Sequence, residues 1–584
     1  MQDRMKRACI VLLTAVLVCA GDTLIQAQRD AGGVQGAGPR GGGGGGFRNG
    51  GAGPLGRGGF DFPGRGRGQE VQGTASIRGL VTSADTNSPV RRAQVRATSA
   101  DTRSARLSTT DADGRFELRD LPAGRWTISA TKGGFVTQQF GQRHSFESVE
   151  PVDLADGQRF TANFTLSRGS AITGRVSDEF GDPITGARVQ VLRSQVQQGR
   201  RRLVPTANGA QTDDTGAFRV FGLAPGEYYV AASLQAAPAD SSTNPVSYAP
   251  TYFPGTGNIA DAQRLTLTLG TEQSGINFVL QPVRAVRVSG TVVDSNGAPT
   301  QALLNLTPAG FGDDGGLQLG NPARVLPDGS FTILNVVPGE YVLTVNGRPN
   351  GNATPEVASM PVTVGNDDLA GVSIATSKGG TIRGTIVADN NAKVATTNIQ
   401  VSVQALRPAP GNFQPRTQVS SGGTFELNGL IGAHVLRVDR LPDGWTVKSI
   451  RANGRDITDT ALEFRGSEAA TVQVVLTNRI SEVSGAVKAN GQPVTSASVV
   501  LFPEDAAQWV FPSRRVRMVR VDQTGVFRAQ SLPPGERYLA VAVDYLEQGE
   551  FQDPLFLERM RGRATAFSLT DGENKNVDLT LVER

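Results

Sequence analysis

A chain of 584 residues exceeds what one hydrophobic core supports and implies about four to six domains, at roughly 100 to 150 residues each. Only 38% of the residues are apolar and 6% aromatic, while 72 are glycine, a lean composition that favours short strands and turns over large helical cores. The formal net charge of +4 is small for this length and sits partly in an Arg/Gly stretch before residue 70, so it does not argue for nucleic acid as a partner.

Residues 1–27 read as a secretory signal peptide. Arg4, Lys6 and Arg7 precede the apolar run Ala8 to Ala20, and small residues stand at two cleavage points, Ala20 and Ala27. The run is shorter than the ~20 residues a membrane span needs, which leaves an uncleaved anchor or lipidation at Cys19 as alternatives. Both cysteines, Cys9 and Cys19, lie in this segment. The mature chain then has none, which excludes disulfides, thiol nucleophiles and cysteine metal sites together. The expected location is outside the cytoplasm (periplasmic, outer-surface or extracellular), with no membrane span in the mature chain.

Residues 28–71 form a Gly/Arg-rich linker that cannot bury enough apolar surface to order itself. It is expected to be a disordered tether, since an exported chain meets little RNA for an RGG-like tract to bind.

A pattern then recurs about every 100 residues. Each unit opens with an alternating strand around a glycine: SIRGLV at Gly79, AITGRV at Gly174, RVSGTV at Gly290, TIRGTI at Gly384 and EVSGAV at Gly485. Alternation of apolar and polar side chains marks a half-buried strand. A hairpin signature follows, with Phe116, Phe218, Phe331, Phe425 and Phe527 after a turn. Leu121, Leu223, Val336, Leu430 and Leu532 stand five residues further on. Asp-Gly and Pro-Gly steps supply the backbone angles of the reversals, and Trp126, Tyr228, Tyr341 and Tyr538 beyond them are expected to pack inward.

The fold class is therefore all-β: five tandem β-sandwiches at 72–168, 169–284, 285–377, 378–478 and 479–584. The fourth is divergent, with SSGGTF for an Asp-Gly turn and LIGAH where Pro-Gly is expected. Strands of about ten residues at ~3.3 Å each, joined by short linkers, predict a semi-rigid rod. Helices are expected to be few.

The run IxGxV, then GxPxxGAxVxL, then DxxGxFxxxxLxPGxYxL resembles the carboxypeptidase regulatory-like domain, a relative of Cna B-type and transthyretin-like modules. The resemblance covers residue 72 to the end and is strongest in units two, three and five. It implies a prealbumin-like, Ig-like sandwich in a fold group that includes carbohydrate binders. A likeness of this kind carries fold well and function poorly.

Catalytic chemistry is not expected. Zinc hydrolysis needs clustered imidazole and carboxylate ligands, but the only histidines are His144 and His434, in different units. His144 and Glu147 form an isolated HxxE, and both histidines read as structural. The acid pairs Asp111/Asp113 and Asp213/Asp214 read as turn formers, since a calcium loop needs a closing glutamate. A Cna B-type crosslink is excluded between Ala171 and Ser377, which contain no lysine, and is not expected at Lys393 or Lys488. No catalytic residue, metal or cofactor is assigned.

The leading expectation is a non-catalytic cell-envelope protein of structural or interaction type, acting as a spacer or adhesion-type module on an envelope partner. The alternative is polysaccharide binding through aromatic loops, with Tyr248, Tyr252 and Phe253 in unit two and Trp509 and Phe511 in unit five as candidate ligand-binding residues. These rings are weighed against a role in capping their own or neighbouring sandwiches, and Trp445 reads as core-facing or turn-packing.

Overall fold

The recurring glycine and phenylalanine are register partners. In the computed structural model Gly79 faces Phe116 across an antiparallel pair, and Gly174 faces Phe218, Gly290 Phe331, Gly384 Phe425 and Gly485 Phe527. A Cβ on Gly79, Gly174, Gly290 or Gly485 would overlap the carbonyl oxygen of Ala162, Ile276, Val372 or Val577 on the parallel neighbour. At Gly384 it would run into the Phe425 ring itself. Only a residue without a side chain lets both neighbours approach this closely.

The structure describes residues 73–583 apart from 102–103, 235–245, 309–320, 348–355, 391 and 407–414, so the expected signal peptide and linker lie outside the described residues. The described part is all-β, in a series of two-sheet sandwiches. In the first, the opening strand Ala75–Ser83 lies between the antiparallel Arg115–Leu121 and the parallel pieces Arg159–Thr161 and Phe164–Leu166. The second sheet runs Ala105–Thr109, Gln94–Ser99, Gly124–Thr131 and Gln138–Gln139, with Val152–Leu154 also on Gly124–Thr131. Parallel pairing breaks beside the glycine, and there a side chain completes the ladder: Asn163 Oδ1 accepts from Leu80 N, Asn277 Oδ1 from Arg175 N and Asp578 Oδ1 from Ala486 N. An otherwise orphaned backbone donor is thereby satisfied.

The inward aromatics fall where the sequence places them. Trp126, Tyr228 and Tyr538 are almost fully buried and Tyr341 nearly so. Each also donates a hydrogen bond to a carbonyl at the preceding turn: Trp126 Nε1 to Pro122 O at 3.0 Å, Tyr228 OH to Ala224 O at 2.7 Å, Tyr341 OH to Val337 O at 2.7 Å and Tyr538 OH to Pro533 O at 2.8 Å. A ring that carries a polar handle suits this place, because a buried handle needs a partner.

The fourth and fifth sandwiches vary the plan. In the fourth, Gly380–Ala388 pairs without a break with Ala469–Thr477, which continues to Thr446–Ala452 and Arg455–Asp456. Its hairpin forms despite the missing Asp-Gly turn, because Ser420 takes the aspartate's place and its Oγ accepts from Thr424 N at 3.1 Å. In the fifth, Leu579–Val582 pairs with both Glu482–Ala489 and Arg537–Val543 and joins the strands into one sheet. An α-helix, Pro554–Arg561, is inserted before the strand Thr565–Ser568; Asp553 caps it by accepting from Leu555 N, and Pro554 sits in its first turn. No helix among the described residues is long and apolar enough to cross a membrane.

Separate apolar clusters fill the five sandwiches, centred on residues such as Ile77, Ile172, Val288, Ile382 and Val483. The rod expectation fails. Residues 71–584 form one compact unit, in which the fifth sandwich returns to touch the first, second and fourth. The physical reason is the insertion between Val543 and Thr565, whose residues make side-chain and backbone contacts more than 350 positions away in sequence.

Candidate functional site

The candidate aromatics are mostly consumed by packing. Tyr252 is 1% exposed, in a small cluster with Leu192, Leu203 and Ala231. Phe253 is half-buried, edge-on to Phe278 at 5.9 Å, and Tyr248 is half-buried against the same core, with its hydroxyl pushed up by burial. Trp509 is 8% exposed, edge-on to Phe502 at 5.7 Å, and its Nε1 donates to Pro503 O at 2.8 Å. Phe511 is half-buried, and its Cβ would stand 2.6 Å from a Cβ built on Gly199 of the second sandwich. Tyr248, Tyr252 and Phe253 are thus placed around one sandwich and Trp509 and Phe511 in a loop of another. Trp445 is half-buried against the fourth core.

The acidic candidates serve their own turns. Asp111 Oδ1 accepts from Asp113 N and Arg115 N at 3.0 and 2.8 Å, and Asp213 Oδ1 from Thr215 N and Ala217 N, each at 2.9 Å. The Thr215 hydroxyl and these amides hold the Asp213 carboxyl below its ordinary value. The HxxE element is a loop staple: the buried Glu147 carboxylate accepts from Arg143 N at 2.8 Å and His144 N at 3.0 Å. Among the described residues, no group of three or more His, Cys, Asp or Glu side chains is placed to hold a metal ion. Lys488 lies 4.0 Å from Asp578 in an exposed ion pair.

What the sequence does not announce is a junction of three sandwiches. The loop 140–150 of the first inserts between the second and the fifth. Phe146 packs against the second core and carries the Arg193 guanidinium over its ring at 3.5 Å. Arg193 is ion-paired with Glu547 of the fifth sandwich, and Arg201 lies 2.7 Å from Asp553. The His144 ring stacks on Tyr545 at 4.1 Å, and Arg143 donates to Ser496 Oγ at 2.6 Å. Two backbone hydrogen bonds cross the joint, Ser148 N to Leu546 O at 2.9 Å and Gln548 N to Phe146 O at 3.2 Å. Arg520 adds a bond to the Ser148 carbonyl.

Beside this junction opens a cleft of about 780 Å³, lined by Gln139, Gln142, Ser145, Phe146, Arg193 and Gln195 among others. The charges on its wall are already engaged, so what it offers is amide and hydroxyl hydrogen bonding. No sequence signal marks the arginines, but the extra segment between the Tyr538 strand and the last strands of unit five could have flagged the insertion.

A second joint ties the fourth and fifth sandwiches. Asp459 lies 3.2 Å from Arg514, pairs with Arg515 and is 3.9 Å from Arg437; Arg437 donates to Pro512 O at 2.9 Å and Arg515 Nε to Glu536 at 3.1 Å. Burial pushes the Asp459 carboxyl up, but the surrounding arginines more than offset this and hold it below the usual carboxylate range.

The fold and these joints define a multi-sandwich protein whose modules are joined by polar contacts. Residues 76–167 and 171–281 each match the carboxypeptidase regulatory-like domain, so the chain carries two such domains in tandem, as the motif resemblance implies. No curated protein matches the chain. Among solved structures it is similar to the Bacillus anthracis TIE protein, at 12% identity over 70% of this chain and 73% of that one, with a TM-score of 0.15. It is also similar to a streptococcal ancillary pilin, at 14% identity over 52% and 98% and a TM-score of 0.19. A third is GBS52, the minor pilin of Streptococcus agalactiae, at 12% identity over 36% and 96% and a TM-score of 0.20. TM-scores this low transfer no function.

Proposed function

We propose that the chain is an exported, non-catalytic structural or interaction protein of the cell envelope that presents its sandwich loops to a partner. The carrying observation is where its distinctive residues are spent. Phenylalanines close on glycines, aspartates staple turns, Trp and Tyr handles seal corners, and the residues added in the fifth sandwich hold the others in place. Export rests on the reading of residues 1–27.

Pull-down from envelope extracts with the chain lacking residues 1–27 tests this, with a saturable envelope protein partner expected. Metal-dependent release of C-terminal residues from peptides by the purified chain would sink it. Polysaccharide binding is the second reading, supported by the partly exposed faces of Tyr248, Phe253 and Phe511. Retardation in a polysaccharide affinity gel that Tyr248→Ala abolishes would favour it over the first.

A further inference from the structure

The joint of the first, second and fifth sandwiches is built unlike the sandwiches themselves. Each sandwich has its own apolar core, and no cluster joins buried residues of the fifth to those of the first or second. Apart from Phe511 of the fifth sandwich against Gly199 of the second, what crosses the joint is ionic or hydrogen-bonded: Arg193 to Glu547, Arg201 to Asp553, Arg520 to Glu150 and Ser148, Arg143 to Ser496, and the two backbone bonds. The ring contacts there are also polar in kind, with the His144 imidazole on Tyr545 and the Arg193 guanidinium on Phe146. Phe146 belongs to the first sandwich but is lodged against the second, so it ties those two without anchoring the fifth by apolar contact.

Ion pairs with one partner in water contribute little each and weaken with salt. Here Arg201 keeps 53% of its side chain exposed and Glu150 68%, while Arg193 and Glu547 keep 13% and 31% and form the strongest pair of the joint. Opening such a joint exposes little apolar surface, whereas opening any sandwich exposes a whole core.

We infer that the contact of the fifth sandwich with the first two is a reversible ionic latch, which opens while all the sandwiches stay folded. The complementary sign on the two sides fits this, with arginines 193 and 201 on the second sandwich meeting Glu547 and Asp553 on the fifth. The latch does not depend on the proposed envelope role and is measurable whatever the partner.

Hydrogen–deuterium exchange on the full chain reads it directly, because the amides of Ser148 and Gln548 are protected by bonds across the joint. In Arg193→Gln, in Glu547→Gln and in the unaltered chain at about 1 M salt, where the Debye length falls to about 3 Å, peptides covering 143–150 and 545–552 should exchange faster. At least about fivefold is expected, the top of the range for exposed pairs, because Arg193 and Glu547 are only 13% and 31% exposed. The core strands Ser170–Ser177 and Arg537–Val543 should stay protected. Unchanged exchange at the joint, or core strands opening together with it, overturns the latch. So does a salt-induced change in mass, which would place the contact between copies instead.

Discussion

His434 holds in the fourth sandwich the place that Tyr228 holds in the second. Tyr228 pairs with Leu265 across its sheet and His434 with Leu462, and the His434 Nε2 lies 2.8 Å from Ile431 O as the Tyr228 hydroxyl lies 2.7 Å from Ala224 O. The corner LIGAH is one residue shorter than LAPGEY, so the smaller ring reaches the carbonyl three positions back instead of four. The exchange has a cost the tyrosines avoid, since an imidazole, unlike a phenol, can take up a proton and become charged. His434 is 5% exposed, and its Nδ1 has no hydrogen-bond partner among the described residues.

Burial pushes the His434 pKa below its ordinary value of 6.5, against smaller raising effects from the Ile431 carbonyl and Glu463. The unfolded chain therefore takes up a proton at this site before the folded chain does. The stability that neutral His434 supplies is complete above about pH 6.5 and falls as pH drops below it, until the folded form also protonates. The protection factors of the strand Gly432–Asp439, which take out the intrinsic slowing of amide exchange in acid, should fall between pH 7 and pH 5, and His434→Gln, which keeps a donor for Ile431 without the charge, should flatten that dependence. An equal loss of protection in both proteins would place the sensor elsewhere.

The glycine of each opening strand is a steric requirement. Gly485→Ala should destabilise the fifth sandwich by at least about 1–3 kcal/mol, because the added methyl meets the Val577 carbonyl and the Phe527 ring, 3.1 Å away at Cε1. Gly365→Ala, with nothing within 4 Å of the new carbon, should stay within about 0.5 kcal/mol. Chemical denaturation of the two variants side by side checks the contrast.

These glycines and their phenylalanines made the fold legible, because both partners of one contact recur in the sequence at fixed spacing. The burial of the candidate rings has a cause in the neighbouring strands. Ser498–Pro503 is buried at every position and Arg537–Val543 at all but its first, a run of apolar residues rather than an alternation. Such a strand is covered on both faces. The cover is the 504–516 loop with Trp509, together with Phe556, Leu557 and Met560 of the inserted helix. The junctions stayed invisible because Arg193 and Glu547, or Arg437 and Asp459, carry no mark that pairs them before the chain is folded.

Trp509→Ala should accordingly act as a core truncation. With the ring buried and its Nε1 bonded to Pro503 O, the loss should be about 3–5 kcal/mol, read as a lower denaturation midpoint of the fifth sandwich. A variant of unchanged stability would return Trp509 to the surface and to the candidate binding residues.

Asp459 carries the joint of the fourth and fifth sandwiches almost alone on the acidic side, facing Arg437, Arg514 and Arg515, with Glu536 reaching only Arg515. Asp459→Asn keeps the shape and removes the charge, leaving arginines that burial already disfavours; the Arg437 guanidinium is held below its ordinary value by desolvation. A fully buried pair broken this way costs about 3–5 kcal/mol. With 15% of Asp459 and about a fifth of each arginine side chain still exposed, about 2–3 kcal/mol is the expected loss once solvent screening is allowed for. The carboxyl is lowered on folding, so its contribution is present above about pH 4 and is lost as pH falls through the folded value. Faster exchange of Thr446–Ala452 in Asp459→Asn at pH 7, converging with the unaltered chain in acid, is the expected pattern. Parallel curves at every pH would mean that the aspartate acts through shape and not charge.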